Sequence, residues 1–247
     1  MNQFSCLAKF YDRFVGADYD KIVSFIDDKI RCYYPNASLV CDIGCGSGTI
    51  TLSLLDKGYD MIGIDGSIDM LSEAQNKKME HSMGKKALFL HQQLPEFELY
   101  GTVDCLISTL DTLNYITVSQ DLDRLFYWFQ NYLNPNGLLI FDINTEYKYQ
   151  SILDNQCRIY DEDDVFISWQ SRYEEELCYH NLSIFNQCGE LFERCDEEQI
   201  QRYYSIDFIK GLLQKYGFKL IQITDDYSEE APNDQTQRLT FLAIKES

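Results

Sequence analysis

The chain has 247 residues, enough for one large domain or for one domain carrying a sizeable insertion. With 45% hydrophobic and 25% charged residues its composition is that of a globular protein. A formal net charge of -19 repels phosphate backbones and anionic lipid, which argues against nucleic acid or a membrane surface as partner and favours a small neutral or cationic ligand.

Residues 18–34 predict an amphipathic helix, with Ile22, Val23, Phe25, Ile26 and Ile30 at helical spacing. "SLVCDIG" predicts a first strand, the glycine-rich stretch Gly44 to Gly48 a loop, and "TITLSLLDKG" a helix closed by Gly58. "YDMIGIDGS" is a second strand ending at Asp65, and Ser67 is placed to cap the helix that follows. "ALFLHQQL" and "VDCLISTL" are further strands, the latter ending near Asp111. "SQDLDRLFYWFQNYL" predicts a helix stopped by Asn134-Pro135-Asn136-Gly137, before the strand "LLIFDIN". These strands are near-continuous apolar runs, as buried parallel strands are, and they alternate with helices or loops. The pattern predicts a doubly wound α/β sheet, which binds ligands beyond the carboxyl ends of its strands. Asp42, Asp65, Gln93, Asp111 and Asp142 all fall at or near such ends, with Asp142 expected to order the loop after its own strand.

After Tyr149 the texture changes to partial period-two alternation, which predicts an inserted antiparallel meander of about three strands. A helix capped by Ser205 and a final strand pair return to the α/β pattern. The expected organisation is a domain made of residues 1–149 and 205–247, with residues 150–204 inserted as a substrate cap. The acidic run Asp161 to Asp164 reads as a solvated turn.

Nine cysteines, an odd count at irregular spacing with no CxxC pair, fit no secreted disulfide framework. The three histidines, His81, His91 and His180, are isolated, so no metal site is expected. No signal peptide and no run of about 18 apolar residues is evident, which makes the reducing cytoplasm the expected location.

The glycine loop "VCDIGCGSGT" carries the chemistry. A dinucleotide site needs GxGxxG so that a diphosphate can rest on a helix N-terminus. Here the spacing is GxGxG, and Asp42 would set a negative charge beside that diphosphate. A ligand with an ammonium, a carboxylate and a sulfonium but no phosphate fits better. The loop N–H groups can face its carboxylate, Asp42 its ammonium, and Asp65, 17 residues after Gly48, its ribose hydroxyls. That ligand is S-adenosylmethionine, framed by two aspartates at adjoining strand tips.

Asp42-Ile43-Gly44-Cys45-Gly46-Ser47-Gly48 resembles the first motif of class I S-adenosylmethionine-dependent methyltransferases, and "GIDGSIDML" the second. "GTVDCLISTLDTLNY" and "NPNGLLIFDINTEYKY" resemble the fourth and fifth, while "FYDRF" and "QRYYS" are similar to a bacterial small-molecule subgroup related to sugar N-methyltransferases. The resemblance implies a Rossmann-like seven-stranded sheet with its last strand antiparallel. It implies that Asp42, Gly44, Cys45, Gly46 and Gly48 hold the methionine part, Asp65 the ribose, and Gly66 and Met70 the adenine slot. Tyr11 would close over the cofactor and Leu110 would sit near its methionine end. Relatives commonly carry Gln-Asp-Met where this chain has Gln92-Gln93-Leu94, and often His at Gln199. A Gln93 carbonyl can still accept from the adenine amino group.

Methyl transfer needs an acceptor lone pair held in line behind the methyl carbon, and a general base when the acceptor is a hydroxyl. Asp111 and Tyr115 are the candidate catalytic residues, and Tyr19, Asn114 and Tyr204 the candidate substrate residues. Between Ser151 and Ile200 there are 13 acidic residues and three arginines, a local balance of -10 that would attract an amine-bearing or cationic acceptor. Nitrogen is favoured over oxygen. The rival readings are a cofactor-binding regulator without turnover and a nicotinamide-dependent oxidoreductase.

Overall fold

The computed structural model describes residues 3–81, 86–162 and 164–246. A short helix α1 (Tyr11–Phe14) precedes α2 (Tyr19–Tyr33), whose first turn is capped by the Asp18 carboxylate accepting from Lys21 N at 3.0 Å. Then come β1 (Leu39–Ile43), α3 (Thr49–Asp56), β2 (Asp60–Asp65), α4 (Ile68–Glu80) and β3 (Ala87–His91). The chain next returns to the middle of the sheet as β4 (Val103–Ser108), α5 (Ser119–Tyr132) and β5 (Leu133–Asn144). Strands β6 (Gln156–Glu162), β7 (Val165–Glu174), β8 (Leu177–Cys188) and β9 (Leu191–Arg202) form the insertion. Helix α6 (Ile206–Lys215), β10 (Phe218–Asp225) and β11 (Arg238–Lys245) complete the domain. Ser67 and Ser205 cap α4 and α6, accepting from Met70 N at 3.3 Å and Phe208 N at 3.2 Å.

The main sheet has seven strands in the order β10-β11-β5-β4-β1-β2-β3, and β11 runs antiparallel to both its neighbours. This is the expected fold class. The chain winds outward from β1 through β2 to β3, then restarts on the other side of β1 with β4. The order therefore reverses between β1 and β4, and a crevice opens beyond their carboxyl ends. Alternation along the strands feeds two apolar layers. In β5, Leu139, Phe141 and Ile143 join α5 and α6 on one face, while Leu138 and Ile140 join α2 and α3 on the other. Phe141 stacks on Phe241 of β11 with ring centroids 4.9 Å apart.

Two expectations change. The insertion is a four-stranded antiparallel sheet in the order β6-β7-β8-β9, one strand more than the alternation suggested, because exposed β6 has little apolar pattern to read. Strand β5 starts at Leu133 and runs through the Asn-Pro-Asn-Gly stretch, where Asn134 donates to the Asp104 carboxylate at 2.8 Å. The inner face of the insertion (Val165, Ile167, Leu182, Ile184) packs on Leu7, Phe10 and Phe14, so the N-terminal segment lies against it. Cys6 and Cys195 are joined there as a disulfide with Cα atoms 6.0 Å apart, a pair that a separation of 189 residues hides in the sequence. Arg13 bridges Glu162 at 2.6 Å and Asp164 at 3.0 Å, so the acidic run is partly paired; Asp163 lies outside the described residues. No helix among the described residues is long and apolar enough to cross a membrane.

Candidate active site

A cavity of about 460 Å³ opens at the switch point, within the size range of small-molecule sites. Its wall starts with the loop after β1. Gly44 and Gly48 have φ of +74° and +76°, a region that disfavours side chains. A Cβ at Gly44 would overlap the Thr112 side chain, and one at Gly48 would lie 2.8 Å from the Phe89 ring. The loop can thus press against its neighbours and turn its backbone toward a ligand.

Asp65, at the tip of β2, accepts from Gly46 N at 2.8 Å and Ser67 N at 2.7 Å. Burial pushes its carboxyl up, and the backbone bonds oppose that shift. Each carboxylate oxygen keeps a second lone pair, so the group can still accept from two hydroxyls in the cavity. Beside it, Gln93 donates its amide to Gly66 O at 2.6 Å, which leaves its carbonyl oxygen as a free acceptor type. Met70 and Leu94 line the same part of the wall.

Among the predicted residues, Tyr11, Tyr19, Gly44, Cys45, Gly46, Asp65, Gly66, Met70, Gln93, Leu94, Leu110 and Tyr115 line this one cavity. The structure does not bring Asp42, Gly48, Asp111, Asn114 or Tyr204 into its lining. Asp42 is 1% exposed and sits behind the glycine loop, bonded through one oxygen to Thr51 Oγ1 at 2.6 Å. The two aspartates therefore do not frame the cavity side by side. Asp42 Oδ1 is buried without a partner, and burial, helped by repulsion from Asp65, pushes the group up to about 7.

Asp111, the candidate catalytic carboxylate, is turned away from the cavity lining. Its carboxylate meets Arg238 Nη2 at 2.8 Å and also accepts from Gln201. Burial would raise it, but the charges of Lys148 and Arg238 and these hydrogen bonds hold it below the usual carboxylate range, so it is a poor proton acceptor. Asn114 is fully buried, donating to Arg202 O at 2.7 Å and accepting from Asn144 N at 2.9 Å, and its amide is used by the fold. Tyr204 donates to Ile116 O at 2.5 Å and braces the loop rather than reaching the cavity.

Tyr115 donates to Gln199 Oε1 at 3.2 Å. Gln199 in turn donates to Glu197 Oε1 at 2.6 Å, and buried Glu197 receives the backbone N–H groups of Phe4, Cys6 and Leu7 at 2.7, 2.8 and 3.2 Å. This chain of bonds ties the N-terminal segment across the cavity, where Gln3 and Phe4 join the lining. Sequence reading missed it because its members are nearly 200 residues apart. It also missed Lys77, which binds Asp12 and donates to Ser47 Oγ at 2.9 Å and Thr49 Oγ1 at 2.7 Å, clasping α1 to the glycine loop.

The donor set suits a cationic amino-acid nucleoside. A wall carboxylate, Asp65, can accept from a sugar, the Gln93 carbonyl can accept from a base, and the orphaned oxygen of Asp42 lies behind the loop. No group of three or more potential metal ligands occurs among the described residues.

The Methyltransferase domain family matches residues 11–223. The putative methyltransferase YqeM of Bacillus subtilis (strain 168) is 31% identical over 242 residues, covering 96% of this chain and 95% of the relative. An S-adenosylmethionine-dependent methyltransferase from Clostridium acetobutylicum ATCC 824 superposes with a TM-score of 0.90 at 31% identity over 99% of both chains. A dTDP-3-amino-3,4,6-trideoxy-alpha-D-glucopyranose N,N-dimethyltransferase of Streptomyces venezuelae is 27% identical over 139 residues, 55% of this chain and 56% of the relative. Neither the nicotinamide reading nor that of a regulator without turnover stands against these relationships. The chain belongs to the methyltransferase-domain family and is an S-adenosylmethionine-dependent enzyme of it.

Proposed function

We propose that the acceptor is a small-molecule amine, methylated on nitrogen, and that residues 150–204 roof its site. S-adenosylmethionine supplies an electrophilic methyl group on its sulfonium. Gly44, Cys45 and Gly46, with Leu110 and Tyr11, hold the methionine part; Asp65 holds the ribose; Gly66, Met70, Gln93 and Leu94 hold the adenine. Asp42 acts from behind the loop as a balancing charge. Tyr115 and Tyr19 face the acceptor and orient it, while the N-terminal segment excludes water.

The observation that carries the choice of nitrogen is the titratable set in the lining: Cys45, Asp65, Asp121, Tyr11, Tyr19 and Tyr115, in which Asp65 is engaged by Gly46 N and Ser67 N and a carboxylate such as Asp121 is a weak base toward an alcohol. Burial pushes Cys45 and all three tyrosines up, so they stay protonated at neutral pH. A hydroxyl acceptor needs a base, whereas a neutral amine brings its own lone pair. Asp121 adds negative charge to the lining, and the -19 chain attracts ammonium compounds from solution. The N,N-dimethyltransferase among the relatives acts, by its name, on an amino group.

The test is labelled methyl transfer into matched pairs of amines and alcohols of one carbon skeleton. Label on nitrogen in the amine series and none in the alcohols is expected. Label on oxygen in preference would refute the reading.

A further inference from the structure

We propose that Asp142 and Arg238, which lie outside the cofactor cavity, are positioning residues that hold the Leu110–Asp111 turn in the form that receives the methionine half of the cofactor.

The turn follows β4 and carries Leu110 and Asp111 at φ of 55° and 58°. Two successive non-glycine residues in the left-handed region need outside support. Asp142 supplies it: its carboxylate, 0% exposed, accepts from Leu110 N at 2.7 Å and Asp111 N at 2.5 Å. Arg238 closes the arrangement, with Nε 3.7 Å from Asp142 Oδ1 and Nη2 2.8 Å from Asp111 Oδ1. Tyr227 donates to the same Asp142 carboxylate. In a planar trans peptide the carbonyl points opposite to the N–H. Fixing the Asp111 N–H on Asp142 therefore throws the Leu110 carbonyl to the other side. Thr109, Leu110 and Thr112 line the cavity, and the Thr109 carbonyl is already taken by Thr112 Oγ1 at 2.9 Å. The Leu110 carbonyl then presents partial negative charge to a cationic ligand. Asp142 thus serves the loop of the neighbouring strand, not the loop after its own.

A purely structural ion pair would stabilise the sheet without sorting one part of the cofactor from another. Calorimetry on the full chain separates the two cases, using S-adenosylhomocysteine and 5′-methylthioadenosine, which keeps the nucleoside and sulfur but lacks the amino-acid end. In Asp142→Asn a carboxamide can accept from one N–H but offers its own NH2 to the other. It should bind S-adenosylhomocysteine at least about tenfold more weakly and keep methylthioadenosine within about twofold. Arg238→Lys keeps the charge but loses the fork across both carboxylates, and should show the same selective loss at about threefold to tenfold; it decides the matter if Asp142→Asn does not fold. Folded variants that bind both ligands as the native chain does, or that lose both in parallel, overturn the proposal.

Discussion

The two sides of the crevice are built differently. The β1–β2 side is local: the glycine loop, Asp65, Gly66 and Met70 lie within 27 residues of one another and reach the cavity through short turns. The other side, formed by the β4 loop, is braced by distant segments, with Tyr115 reaching Gln199 and Asp111 reaching Arg238. A nucleoside common to a whole family can be held by a compact motif. An acceptor peculiar to one enzyme is met by side chains that share no fixed spacing.

The largest effect should come from the local side. Gly44→Val puts a branched side chain at φ +74° against Thr112, and should abolish measurable cofactor binding, a loss of about 100-fold or more by calorimetry. Asp65→Asn removes a charge that accepts from two backbone N–H groups and, in the proposed role, from the ribose. A loss of about 10- to 100-fold in cofactor affinity is expected, with the melting temperature also lowered.

The effect of Asp42→Asn depends on pH. The Asp42 pKa is raised to about 7 in the folded chain from an ordinary value of 3.8. Between those values the folded state binds the extra proton, so the free protein loses stability as pH rises from about 4 to 7, at about 1.4 kcal/mol per unit at most. Asp42→Asn should therefore raise the melting temperature of the free protein at pH 8. It should also flatten the native rise in cofactor affinity between pH 6 and 8, because only the ionised group attracts the ammonium. A native affinity that is already flat over that range would remove Asp42 from cofactor binding. The smallest effect belongs to the distributed side: Tyr115→Phe should lower turnover about threefold to tenfold while leaving cofactor affinity unchanged. An equal loss in cofactor affinity would move Tyr115 from acceptor to cofactor.

The same contrast explains what was legible in the sequence. Apolar runs and the GxGxG turn revealed the sheet and the cofactor wall, because strand period and glycine conformation are local properties. A strand tip shows that a residue is near the ligand edge, not which way its side chain turns; Asp42 faces Thr51 of α3. The structural partners of Asp111, Asn114 and Tyr204, which are Arg238, Arg202 and Ile116, are 127, 88 and 88 residues away and leave no local signal. Those pairings exist only once the insertion and β11 have folded onto the β4 loop.

Methylation of a neutral amine without an enzyme base is tested most directly by the pH dependence of kcat/KM for the acceptor at saturating cofactor, measured with a series of amines of graded basicity. If the amine arrives neutral and no lining residue removes its proton, the profile breaks at each amine's own pKa and shifts with it across the series. A break that stays at one pH whatever the amine would show an enzyme base at work and rule out transfer to an amine that arrives neutral.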